Sequence, residues 1–194
     1  MRAALLTVLM VGATCLIAQD TKVEAIGKSP TEAKFASGGK LRMELCSSGV
    51  EVVGEESNIL RVEYDANRGN DVKVRIQVSG DHADLRVSSC PHNNFQVRIE
   101  VPKSSDLYVR MMAGQLDVRD VTGDKDIALS FGQLNLDVGK TELYARVNAS
   151  VNSGELNASA FSVDKGGLFR SFSQSGPGKY RLRAHVGAGE LDLR

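Results

Sequence analysis

Tryptophan is absent from this chain, and aromatic residues of every kind make up only 5% of its 194 residues. That leaves little material for the stacking platforms that hold bases or sugar rings. An excess of one charge is lacking too. Lys plus Arg number 24 and Asp plus Glu number 24, for a net charge of +0. The basic surplus of nucleic-acid binders is therefore missing, and no nucleic-acid partner is expected. Proline occurs 4 times and cysteine 3 times. No CxxC pair exists, and the three histidines, His82, His92 and His185, are scattered, so no metal site is expected. No Gly-x-Ser-x-Gly elbow and no DxDxDG or GGxGxD loop is present. The sequence thus offers no catalytic residue, no cofactor site and no sign of an enzyme.

The one long apolar run lies at the start. Met1-Arg2 is followed by AALLTVLMVGATCLIA through Ala18, and the chain turns polar at Gln19-Asp20-Thr21-Lys22. This pattern predicts a secretory signal peptide over 1–18, leaving no integral membrane span once it is removed. Lipidation at Cys15 is disfavoured, because Gly12 and Thr14 stand where a lipobox needs a large apolar and a small residue. Removal leaves Cys46 and Cys90. An even count in an exported chain points to a disulfide, which would contribute roughly 3–4 kcal/mol by closing its loop. The alternative is two separate buried thiols.

Residues 19–37 read as a polar lead-in, and 38–194 as one domain. Apolar residues there alternate with polar ones. Leu41, Met43 and Leu45 do so, as do Val72 to Val78, Phe95 to Val101, Leu107 to Met111, Ile127 to Phe131, Leu143 to Val151 and Tyr180 to Val186. Period-two alternation predicts strands with one buried and one wet face. Glycine, with 19 copies, punctuates them.

One short phrase recurs. GQLDV begins at Gly114, GQLNL at Gly132, GELNA at Gly154 and GELDL at Gly189, with an earlier relative at Gly49. A weaker copy begins at Gly178. Repeats of about 20 residues predict an all-β, single-domain β-solenoid of stacked coils, with longer antiparallel strands in the N-terminal half. The glycines would form the bends, and the apolar residues after them would stack inward.

The stretch from Phe95 to Val138 carries a resemblance. It runs strand, Val101-Pro102, strand from Leu107 to Met111, then Gly114-x-Leu116-x-Val118 and Gly132-x-Leu134-x-Leu136. In this it resembles the DUF4097 family of adhesin-like proteins, over about Gly38 to Arg194. The resemblance implies an exported bacterial β-solenoid-like protein without established enzymatic chemistry; together with the signal peptide and the repeats, the expectation is a protein of the periplasm or cell surface that meets an envelope or surface component.

Several outward constellations deserve naming. Asp117, Asn135, Asn157 and Asp192 share one repeat position, and Gln115, Gln133, Glu155 and Glu190 another. They read as solvated strand faces in which amides separate like charges. The competing reading is a degenerate carbohydrate-active β-helix using Glu155, Glu190 and Asp192. Lys179, Arg181 and Arg183 alternate along one strand. They form either a solvated face or a basic strip for an anionic polymer or lipid headgroup. Asn148-Ala-Ser150 and Asn157-Ala-Ser159 match glycosylation sequons, which matter only in a eukaryotic secretory route.

Overall fold

A computed structural model describes residues 20–92 and 94–194. The expected signal peptide, and Cys15 within it, lies outside the described residues. Alternation becomes strand along nearly the whole chain. The strands are β1 (Thr21–Ile26), β2 (Thr31–Lys34), β3 (Lys40–Leu45), β4 (Ser48–Glu55), β5 (Ile59–Tyr64), β6 (Lys73–Ser79), β7 (His82–Ser88) and β8 (Gln96–Pro102). They continue with β9 (Asp106–Arg119), β10 (Lys125–Leu136), β11 (Tyr144–Ala158), β12 (Val163–Ser175) and β13 (Tyr180–Leu193). Two single 3-10 turns, Thr141–Leu143 and Ser159–Phe161, interrupt them.

All thirteen strands belong to one sheet that does not close on itself. The sheet is folded once along a line. On one side of this crease the order is β1-β6-β7-β3-β9-β10-β13-β11-β12, and on the other it begins β2-β5-β8-β4 before joining the same long strands. The register shows the fold directly. The first half of β9 pairs with β3, from Lys40 on Asp106 to Leu45 on Met111, while its second half pairs with β4, from Ser48 on Gly114 onward. The buried faces of the two layers meet in one apolar cluster, which includes Met43, Val52, Ile99, Val109, Leu129 and Val186.

The bend has a signature in the burial pattern. Along β9 the inward residues are Leu107, Val109 and Met111, then Leu116 and Val118. Five residues separate Met111 from Leu116, and the same step runs from Leu129 to Leu134, Val151 to Leu156 and Val186 to Leu191. Strict alternation allows only even steps. The odd step reverses which parity faces inward as the strand turns its corner, so both halves keep their apolar face on the core. The corner glycines Gly114, Gly132, Gly154 and Gly189 take φ of 122°, 124°, 131° and 139°. Residues with a Cβ rarely reach this region. Gly49 lies one place past the corner, opposite Gln115, and Ser48 stands opposite Gly114. Gly178 precedes β13 and takes no part in the glycine column.

The expected succession of coils is replaced by another order. In space the long strands run β9-β10-β13-β11, so the last strand of the chain slides between two earlier ones. β11 and β12 pair antiparallel across a short connection, which covers the far edge of β11 and leaves β13 the slot beside β10. The three contacts within this group are parallel, with corner glycine on corner glycine.

Two further readings change. The segment read as a polar lead-in supplies β1 and β2, paired antiparallel with β6 and β5. Phe131, read as the third inward residue of its strand, lies at the corner and is 57% exposed, because the parity change begins before it. Cys46 and Cys90 form a disulfide. It joins the β3–β4 and β7–β8 crossings from one layer to the other.

Candidate functional site

The register lines up outward side chains of the first layer into ladders that cross the sheet. One runs Asp84, Arg42, Tyr108, Asp126, Arg183 and Asn148. Toward the strand ends remote from the crease, Arg181 stands opposite Arg146. A groove of about 660 Å³ runs over this outer face. That volume lies in the range of ligand-binding clefts.

The charges in the groove divide into stripes. Its acidic stripe is engaged through one carboxylate oxygen of each aspartate. Arg110 donates to the Asp126 carboxylate at 2.7 Å and to the Asp126 carbonyl at 2.9 Å. Asp106 accepts the Asp124 backbone N–H at 2.8 Å, and Asp124 accepts the Arg181 backbone N–H at 2.8 Å. Tyr108 stacks with two guanidinium groups, Arg110 at 3.6 Å and Arg42 at 5.3 Å from the ring centre. The basic stripe is different. The guanidinium groups of Arg146, Arg181 and Arg183 are exposed and have no hydrogen bond or ion pair with another described residue. Every other described arginine except the C-terminal Arg194 holds a carboxylate, a carbonyl or a ring. On the second layer, for example, Arg98 holds Glu51 at 2.7 Å and Glu100 at 3.1 Å, and Arg61 holds Glu32 at 3.3 Å. Lys179 stands at 4.7 Å over the ring of Tyr180, just before the two β13 arginines.

Behind the groove, on the core side of β10, is Lys125, only 2% exposed. Its ammonium donates to the Tyr144 hydroxyl at 2.7 Å. Burial pulls its pKa down to about 8, against the opposing pull of Asp137, Asp124 and Asp106. Burial pushes the Tyr144 hydroxyl up to about 12. The alternation pattern carried no signal for Lys125, since a lysine at an inward position reads as a break in the pattern.

The repeat-position polar residues lie on the outer face of the second layer. Their spatial order is Asp117, Asn135, Asp192, Asn157, so Asp192 stands between two amides and Asp117 beside one. Asn135 donates to Asp117 at 2.6 Å, and Gln115 donates to the same carboxylate at 2.8 Å. Glu190 and Glu155 are neighbours on parallel strands of one face, side by side and not across a cleft. Among the described residues no group of three or more His, Cys, Asp or Glu is placed to hold a metal ion. His185 meets Ser150 at 2.9 Å. Its lateral neighbours in the sheet are Ser150 and Ala128, so no cross-strand carboxylate orients the imidazole as a serine nucleophile would need. His82 pairs with Asp81 at 2.6 Å in an exposed turn.

No family model matches this chain, and no curated protein sequence does. Solved structures do show similarity. One is a "putative cell adhesion protein" from Clostridium sporogenes, 16% identical, with a TM-score of 0.49, covering 85% of this chain and 99% of its own. Another is a "putative adhesin" from Bacteroides fragilis, 8% identical, with a TM-score of 0.40, covering 90% of this chain and 97% of its own. No helix among the described residues is long and apolar enough to cross a membrane.

Proposed function

We propose that this protein is an exported, non-enzymatic binding protein of the adhesin kind. In this reading it belongs with the DUF4097 family it resembles, and its in-register corner strands form a solenoid-like stack. It works in the periplasm or at the cell surface, and its recognition surface is the groove on the outer face of the first layer. The observation that carries the reading is the set of three arginines left without partners there, in a molecule that pairs nearly all its others. Unpaired guanidinium groups on a rigid sheet are a standing site for a ligand. The Cys46–Cys90 disulfide supports an oxidising compartment.

Retention on cell-envelope fractions, purified glycans and surface components tests this. The protein is expected to be retained by an envelope component, and Asn148→Trp, which fills the groove from β11, is expected to abolish retention. Retention by no fraction, or retention untouched by Asn148→Trp, overturns the reading. The alternative, a degenerate carbohydrate-active enzyme using Glu155, Glu190 and Asp192, requires glycan cleavage that Glu155→Gln with Glu190→Gln removes.

A further inference from the structure

We infer that the ligand of this groove is a carboxylated polysaccharide, a glycan carrying uronic acids. The inference rests on the groove being the recognition surface.

Two properties of the face point to it. The first is the uncompensated positive stripe. Arg181 and Arg183 are two residues apart on β13, about 7 Å along the strand, and Arg146 stands about 4.8 Å from Arg181 on β11. A guanidinium group presents a fork of donors that matches a carboxylate with two parallel hydrogen bonds. Three such forks clustered at one end of the groove fit carboxylates that recur along a chain.

The second property is the acidic stripe on the neighbouring strands. Asp106, Asp124 and Asp126 line the same groove beside the arginines. Ionised carboxylates only accept hydrogen bonds. A ligand lying over both stripes must therefore bring acids to the arginines and donors to the aspartates. A uronic-acid chain does both, because each ring carries one carboxylate and several hydroxyls. Polyphosphate and nucleic acid backbones bring anionic oxygens to every contact, and the aspartates repel them. A flat lipid surface fits poorly as well. The most exposed apolar side chains that could enter a bilayer, Phe169, Ile26, Met112, Leu168 and Phe131, all lie outside the groove's lining. Tyr108 is engaged by Arg42 and Arg110, so recognition falls to charge and hydroxyl contacts and not to ring stacking.

Titration calorimetry with four probes decides the matter. These are a uronic-acid hexasaccharide, a neutral hexasaccharide, inorganic polyphosphate, and vesicles of phosphatidylglycerol in phosphatidylcholine. The uronic-acid probe is expected to bind, more weakly as salt rises. R181Q/R183Q is expected to weaken it by about tenfold or more. Both arginines are exposed and Leu182 between them still faces the core, so the melting temperature is expected to stay unchanged. Equal or tighter binding of polyphosphate or of the vesicles overturns the inference. So does binding of the neutral probe at the groove without loss in R181Q/R183Q, an outcome that leaves the groove as recognition surface standing. If no probe binds and no envelope component is retained, the reading of the groove itself fails.

Discussion

Lys125 shows how much one side chain can decide. It occupies an inward position of β10, in line with Leu107 of β9 and Leu182 of β13. A charged amine there is disfavoured by burial, and the Tyr144 hydroxyl supplies one acceptor in return. The pH dependence follows with a definite sign. Between about pH 8 and the ordinary lysine value, the unfolded chain holds a proton that folded Lys125 has lost. Stability from this group therefore rises with pH across that window. Tyr144 acts in the opposite direction above about pH 10. There the unfolded tyrosine ionises, while the folded one stays neutral up to about pH 12. Urea denaturation of the parent protein is expected to show a rise in stability above pH 8 that reverses above about pH 10. Lys125→Met with Tyr144→Phe is expected to flatten both limbs and to be more stable than the parent at pH 7. An unchanged pH profile in the double variant rules out this account of the buried pair.

At the scale of the element, the glycine column matters more than the polar residues beside it. A Cβ on Gly132 would collide with the carbonyl oxygen of Gly114 on the neighbouring strand, and Gly132 itself sits at a φ of 124°. The same close approach is repeated between Gly189 and Gly132 and between Gly154 and Gly189. Gly132→Ala is therefore expected to cost about 3 kcal/mol, from backbone strain and from a strand spacing that cannot widen at one point alone. Chemical denaturation against the parent checks it, and a loss below about 0.5 kcal/mol, the range of ordinary surface changes, would sink the idea. The phrase GQLDV is thus chiefly a corner: glycine sets the bend, and the leucine and valine after it resume the core on the opposite parity. Its glutamine and aspartate face outward and hold each other and their strand neighbours.

For the whole molecule the question is what guards the edges of so large an open sheet. β12 is an edge strand of 13 residues, and an unprotected edge of that length invites another chain to pair. Its sequence places cations on its inward side. Lys165 lies opposite Leu156 and Arg170 opposite Val151, on the side that faces the core. From there Lys165 donates to the Ser171 carbonyl at 2.9 Å and Arg170 to the Gly166 carbonyl at 2.5 Å, each reaching along β12 past its corner. Both side chains are exposed, so the inward side of this edge strand carries charge. Lys165→Val with Arg170→Val is expected to produce dimers and larger species, seen by size-exclusion chromatography with light scattering at matched concentration. A double variant with the same size distribution as its parent would show that the edge is protected in some other way. At the opposite end, short β1 and β2 blunt the edge by their length, and the Lys22–Glu24–Arg75 cluster adds charge to it.

The strands were legible because alternation is a local property. Each apolar residue two places from the next declares which face is buried, and Leu107-Val109-Met111 needs no knowledge of its neighbours to do so. The recurring Gly-x-Leu phrase likewise announced parallel stacking, since identical corners stack best on one another, and the even pair Cys46 and Cys90 suggested its own bond. The order of stacking was not local. Whether β13 follows β11 or slips between β10 and β11 depends on which edges remain free once β11 and β12 have paired. Phe131 and Lys125 were misread or missed for the same reason, because a corner and a buried amine are defined by the strands alongside them. The strip Lys179-Arg181-Arg183 was visible as an alternation of charge. Its surroundings were set by register: the fold set Arg146 beside Arg181, gave Asp126 to Arg110, and left three guanidinium groups facing solvent in one groove.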